Sequence, residues 1–260
     1  MAPHAPAELP HAALHLAARA FVTTVLGDDA ATSRHYRAAL AAAVSPAALA
    51  EIARMAHLFC GFPRAIQGLR QLEEELRGAA RTDAASGGGG GTGAGGDAGR
   101  PVAAVSSGIS EGVSGVATSE SSRASLPPTG ATTVTDPEPP RSRAEDRARG
   151  ATLFRAIYGS ASDAVLARLD AVAIGFSAWV LEDAYGRVLS RAGLSARQRE
   201  LLAIAALTAL DCPAQLKSHL RGALRLGARP EEVTALLASL ADVLPAETLA
   251  RTAGELARTR

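Results

Sequence analysis

Two stretches of this chain repeat each other at one fixed offset. His35-Tyr36-Arg37-Ala38-Ala39-Leu40 and His219-Leu220-Arg221-Gly222-Ala223-Leu224 share the pattern H-x-R-x-A-L, 184 residues apart. The same offset carries Thr24 onto Thr208, Leu26 onto Leu210 and Pro46 onto Pro230. A single identity between alanine-rich helices means little, but one register held through a helix, a stop and a proline start implies a duplicated helical unit. A unit this short leaves an apolar face unburied, so the two copies are expected to pack on each other as a pseudo-dimer. The copies differ where chemistry could reside: Leu16 stands where the second copy has Glu200, and Asp28 where it has Cys212. If one copy is active, it is the second.

The residues between the copies have another character. Gly87 to Gly96 is almost pure glycine, and serine, threonine, proline and scattered charge follow without periodicity. Such a segment buries too little apolar surface to offset the entropy of ordering it. The expected organisation is therefore a degenerate N-terminal helical repeat over 1–80, a disordered linker over 81–143 and a second helical domain over 144–260. The chain is 47% hydrophobic but only 3% aromatic, with alanine and leucine dominant, which points to an all-α fold of closely packed helices.

Charge argues against a nucleic-acid partner: the formal net charge is +1, and the arginines are spread along the chain with no basic stripe. No run of eighteen apolar residues predicts a membrane span, and His11, His15 and Arg19 interrupt the apolar N-terminal stretch where a signal peptide would be continuous. Two cysteines, Cys60 and Cys212, suit a reducing compartment. The expectation is a cytoplasmic protein with a small-molecule substrate.

The densest information lies from Leu194 to Glu232. Ser195 with Gln198 reads as a capping-box start of one helix. Asp211 reads as the cap of a second, with Pro213 in its first turn, and Gly227 reads as its stop. Cys212 and His219, seven residues apart, are expected on one face of that second helix, with Glu200 on the facing helix. A histidine with a carboxylate suits proton transfer, and Cys212 at a helix start is placed where a thiolate is favoured. Each also has a plain structural reading: an interface histidine, a first-turn carboxylate and a small buried thiol. Arg191 and Arg199 could hold a substrate carboxylate, or be surface charge.

These residues also carry a family resemblance. Glu182-x-x-Tyr185-Gly186-x-Val188-x-Ser190-Arg191, Gly193-Leu194-Ser195, Arg199-Glu200-Leu201 and Leu216-x-x-His219-x-x-x-Ala223-Leu224-x-x-Gly227 resemble the carboxymuconolactone decarboxylase family, which shares its fold with alkylhydroperoxidase D-like proteins. The resemblance is best over 149–237 and weaker over 8–78, where Gly61-Phe62-Pro63-Arg64-Ala65 is similar to the family's G-F-P-x-A segment. It implies an alkylhydroperoxidase D-like helical fold, homo-oligomers with a trimer favoured, and chemistry without metal or organic cofactor.

Two activities follow from the resemblance. The peroxidase branch uses Glu, C-x-x-C and His; here Glu200, Cys212 and His219 fall on the pattern, but Gln215 occupies the second cysteine position, so the local dithiol cycle cannot run. The decarboxylase branch works without the cysteine pair and implies a lyase acting on a small carboxylated lactone, with Glu200 and His219 as the acid–base pair. A one-cysteine peroxidase using Cys212, and a helical assembly protein without chemistry, stay open at this level.

Overall fold

The repeat noted in the sequence is visible helix by helix. The computed structural model describes residues 8–86 and 138–259; the expected linker falls largely in 87–137, outside the described residues. In the first half, α1 (His11–Leu26), α2 (Asp29–Ala41) and α3 (Pro46–Met55) are followed by α4 (His57–Ser86), which kinks at Gly61. In the second, α8 (Ala196–Ala209), α9 (Pro213–Arg225), α10 (Pro230–Ser239) and α11 (Ala246–Thr259) follow in the same order. Shifted by 184 residues, α2 and α3 coincide with α9 and α10 at both ends. Among the described residues there is no strand.

The stops repeat as faithfully as the helices. After α2, Val44 N–H donates to Ala39 O and Ala43 N–H to Leu40 O; after α9, Ala228 donates to Ala223 and Gly227 to Leu224. This is the double bond of a Schellman stop, with a left-handed residue at its centre. Ala43 (φ 58) takes that conformation in the first copy and Gly227 (φ 88) in the second. The α1 stop, with Asp28 bonded to Thr23 and Gly27 to Thr24, recurs at α8 as Cys212 to Leu207 and Asp211 to Thr208.

Those bonds revise one expectation. Asp211 is not the cap of α9: it is left-handed (φ 51), and Cys212 is the N-cap residue before Pro213. The reason is steric, since a residue preceding proline avoids the helical region and Cys212 takes φ −105, ψ 74. At α8 only half of the capping box forms: Gln198 N–H donates to Ser195 Oγ at 3.2 Å, while the Gln198 side chain reaches Leu9 O across the molecule.

Between the two halves lie elements without a counterpart among the described residues of the first copy. They are α5 (Arg143–Tyr158), α6 (Ser162–Val172) and α7 (Phe176–Trp179), the last continuing as a π-helical stretch, Val180–Leu189. The Ser142–Glu145 capping box starts α5 at the place where ordered sequence was expected to resume. α5 and the π-helical stretch pack backbone to backbone. A Cβ on Gly150 would stand 1.9 Å from Leu181 O, and one on Gly186 2.0 Å from Asp146 O, so any side chain at either position forces the elements apart. The α6–α7 hairpin presents Val172, Ile174 and Trp179 to the outside.

One hydrophobic core runs through both halves, from Phe21, Leu49 and Met55 to Ile204, Leu220 and Val233. Side chains also tie them: Arg19 Nε donates to Ser239 O at 2.7 Å, and Arg197 bridges Glu232 of α10 to Glu8. The two helical lobes thus pack together, as expected from their individually unburied faces. No helix among the described residues is long and apolar enough to cross a membrane.

Candidate active site

Helix α8 is buried on nearly every side from Gln198 to Thr208 and brings Glu200 into the interior, where it is 1% exposed. A carboxylate so placed needs a partner. His219, on α9, supplies it: Nδ1 lies 2.9 Å from Glu200 Oε2. Burial works against the charged imidazolium, but the Glu200 charge and hydrogen bond outweigh it and lift the His219 pKa above the ordinary 6.5. The carboxylate rests on Gly222, one turn along α9. A Cβ there would come within 2.7 Å of both Glu200 Oε2 and Ile157 Cγ2, so the glycine makes room for the carboxylate against α5.

Two tyrosines complete the surroundings. Tyr185, at the middle of the π-helical stretch, donates its hydroxyl to Tyr158 of α5 at 3.2 Å. Phe154 stacks on Tyr158 at 4.2 Å and meets Tyr185 edge-on at 4.8 Å, fixing both rings. Burial pushes both phenols above their usual pKa, and the nearby Glu200 charge adds to this in each case. They are therefore neutral hydrogen-bond donors beside the carboxylate. Sequence reasoning did not propose them as site residues; Tyr185 was noted only within the family pattern. Their pairing depends on the glycine-mediated contact of α5 with the π-helical stretch, a feature frequently found at functional sites.

Cys212 is separate from this pair. Its thiol sits at the N-cap of α9, 3.6 Å from Leu210 O, in a groove shared with α11 that contains Asp211, Glu247 and Glu255 but neither His219 nor Glu200. Cys60 is in the other half, where its thiol donates to Ala56 O at 3.1 Å and burial pushes its pKa up.

The two arginines expected to bind substrate have a common protein partner. Arg191 embraces Glu51 of α3 through Nε and Nη2, at 2.9 Å each for the shorter contacts, and Arg199 Nη2 reaches Glu51 Oε2 at 3.1 Å. Arg54 adds a third guanidinium at 2.6 Å. Arg199 is 1% exposed, so it binds no ligand at the surface; its Nη2 is further spent on the carbonyls of Arg191 and Ala192. Burial pulls its pKa down while Glu51 opposes the shift. Glu51, missed in the sequence, joins the first copy to the second at this cluster. No group of three or more His, Cys, Asp or Glu among the described residues is arranged to hold a metal ion.

The comparisons with known proteins fall on the same part of the chain. Residues 177–255 match the Carboxymuconolactone decarboxylase family. Peroxisomal protein 2 of Schizosaccharomyces pombe is 37% identical over 86 residues, which are 33% of this chain and 40% of that protein. The alignment thus spans well under half of the relative's length. The first copy lies outside the family match and is tied to the second by the register of its helices and stops. Glu200, Cys212 and His219 all lie inside the span that is similar to the carboxymuconolactone decarboxylase family, and the described fold is all-α.

Proposed function

We propose that the chain is a cofactor-free lyase of the carboxymuconolactone decarboxylase type, acting on a small carboxylated lactone or a related intermediate of aromatic breakdown. The observation that supports this most is the buried 2.9 Å contact between Glu200 and His219. Glu200 accepts a hydrogen bond from Nδ1–H and favours the imidazolium, leaving the Nε2 proton for transfer. As the substrate's carboxylate departs as carbon dioxide, the electron pair of the broken bond enters the conjugated lactone, and His219 protonates the carbon that receives it. Solvent then returns the proton to His219. The neutral Tyr158 and Tyr185 hydroxyls, bonded to each other, stand near enough to feel the Glu200 charge.

The thiol route has less support. Cys212 opens into a groove away from His219 and Glu200, Gln215 stands where a resolving cysteine would be, and Cys60 belongs to the other half. The test is a pair of assays on the purified chain, carboxymuconolactone consumption and thiol-dependent peroxide reduction, with single variants. Turnover should survive Cys212→Ser with less than about a tenfold loss, while His219→Ala costs about a hundredfold or more. The reverse ranking would move the reading to a one-cysteine peroxidase, and no turnover in either assay would favour a helical assembly protein.

A further inference from the structure

Between α5 and the segment from Leu189 to Ala196 the surface opens into a cavity of about 600 Å³, the size of many small-molecule sites. Leu153, Leu189, Leu194 and Leu226 make its walls apolar, Arg149 and Arg191 stand within it, and no carboxylate lines it. Other openings mix acid with arginine: Glu74 and Glu75 with Arg37 between α2 and α4, and Asp211, Glu247 and Glu255 with Arg251 and Arg258 beside Cys212. By charge this cavity suits an anion, and by its walls an anion with an apolar body.

Its position relative to the candidate site is set by helix geometry. Ala196 lies one turn from Glu200 on α8, Leu226 one turn from Gly222 at the end of α9, and Leu153 one turn from Ile157 on α5. Three elements therefore place the cavity about 5–6 Å along from the Glu200 carboxylate. Behind Arg191 lies Arg199, whose Nε and Nη1 have no hydrogen-bond partner among the described residues although the side chain is 1% exposed. Donors of a buried charge left open in this way are costly, and their field is poorly screened by apolar walls. Arg149 is held at the rim by Ser190, through Oγ at 3.1 Å and through the carbonyl, and lies 3.7 Å from Glu138 Oε1, with 42% of its side chain exposed to a ligand.

We propose that this cavity binds a small carboxylic acid, its carboxylate at Arg149 and Arg191 and its apolar body against Leu153, Leu189, Leu194 and Leu226. The proposal names the ligand class for the acid–base pair described above and rests on that reading only in taking the bound acid as substrate. The full chain is titrated calorimetrically with cyclohexanecarboxylate and with its neutral amide. The acid should bind and the amide bind at least about tenfold more weakly; Arg149→Met should remove that preference, and Leu153→Trp, which fills the cavity from a half-exposed position, should abolish binding with circular dichroism unchanged. Equal binding of acid and amide, no binding at millimolar acid, or binding indifferent to Leu153→Trp overturns it. The two readings separate with Glu200→Gln, which should keep acid affinity and lose turnover. Acid binding without any turnover sinks the acid–base reading alone, and turnover without acid binding sinks the cavity alone.

Discussion

The two copies use one backbone for two different electrostatic environments. His35 and His219 occupy the same register on α2 and α9, yet burial lowers the pKa of His35, whereas that of His219 is raised. What separates them is one position on the facing helix, Leu16 in the first copy and Glu200 in the second. A second difference accompanies it. Gly222, which makes room for the Glu200 carboxylate, is Ala38 in the first copy, where there is no carboxylate to accommodate. Helix, stop and proline start thus specify the frame, and a carboxylate with the space to hold it specifies whether the frame carries a charged pair.

The largest expected effect breaks the link between the copies. Glu51 is 2% exposed and is the carboxylate on which Arg54, Arg191 and Arg199 converge. Glu51→Ala leaves the buried Arg199 uncompensated and should cost about 3–5 kcal/mol in unfolding by denaturant. A change below about 1 kcal/mol would mean that the Glu51 cluster contributes little to joining the halves. Next in size, Glu200→Leu gives the second copy the residue of the first. Turnover should fall about a hundredfold or more, roughly 2.7 kcal/mol of barrier, and the His219 pKa measured by NMR should drop below 6.5 as burial goes unopposed. An active Glu200→Leu enzyme would end the comparison.

Much of this frame was readable beforehand because its signals are local. Pro46 and Pro230 start helices, Gly227 stops one, and the H-x-R-x-A-L match set a register that the helices keep. The Glu200–His219 pair was accessible for the same reason, since both residues sit on adjacent helices within one hairpin. Glu51 was not, because it meets Arg191 and Arg199 across 140 and 148 residues and no local pattern marks it. Arg199 was read as ligand-binding for the same cause: spacing cannot show that it points inward to a carboxylate from the other copy. Asp211 misled at shorter range, because its suitability as a cap was outweighed by the backbone demand of Pro213 on Cys212.

A smaller effect sharpens the role of space. Gly222→Ala puts a methyl 2.7 Å from the Glu200 carboxylate and from Ile157. Overpacking costs about 1–3 kcal/mol and the better helix propensity of alanine returns up to about 1, so a thermal melt should show a net loss of about 0–3 kcal/mol. Turnover should fall about tenfold through displacement of the carboxylate, and unchanged turnover would show that Glu200 need not sit where it does. The pH dependence gives a related comparison. A histidine whose folded pKa is raised contributes stability fully present below its unfolded value, near 6.5, and lost as pH rises through the folded one. The stability difference between the wild type and His219→Asn should therefore shrink as pH is raised above 6.5. The corresponding difference for His35→Asn should instead grow with pH, because burial favours its neutral form and stability is lost on acidification.

The smallest and most direct test moves the pair into the other copy. Leu16 is partly buried on α1 at the position of Glu200, and Ala38 at that of Gly222, so Leu16→Glu with Ala38→Gly reproduces both residues that the second copy uses. The new carboxylate loses apolar contact and is partly desolvated, but it gains His35 as a partner, and the two contributions nearly cancel for an ion pair in a half-buried site. The expected stability change is within about 1–2 kcal/mol. The informative measurement is the NMR titration of His35, whose pKa should move from below 6.5 to above it. A His35 that stays low would mean that the copies share a backbone register without sharing side-chain geometry. No turnover is expected at the new pair, because among the described residues no element like α5 or the π-helical stretch stands beside the first copy to supply two tyrosines and a cavity. Activity arising there would show that the acid–base pair alone is sufficient.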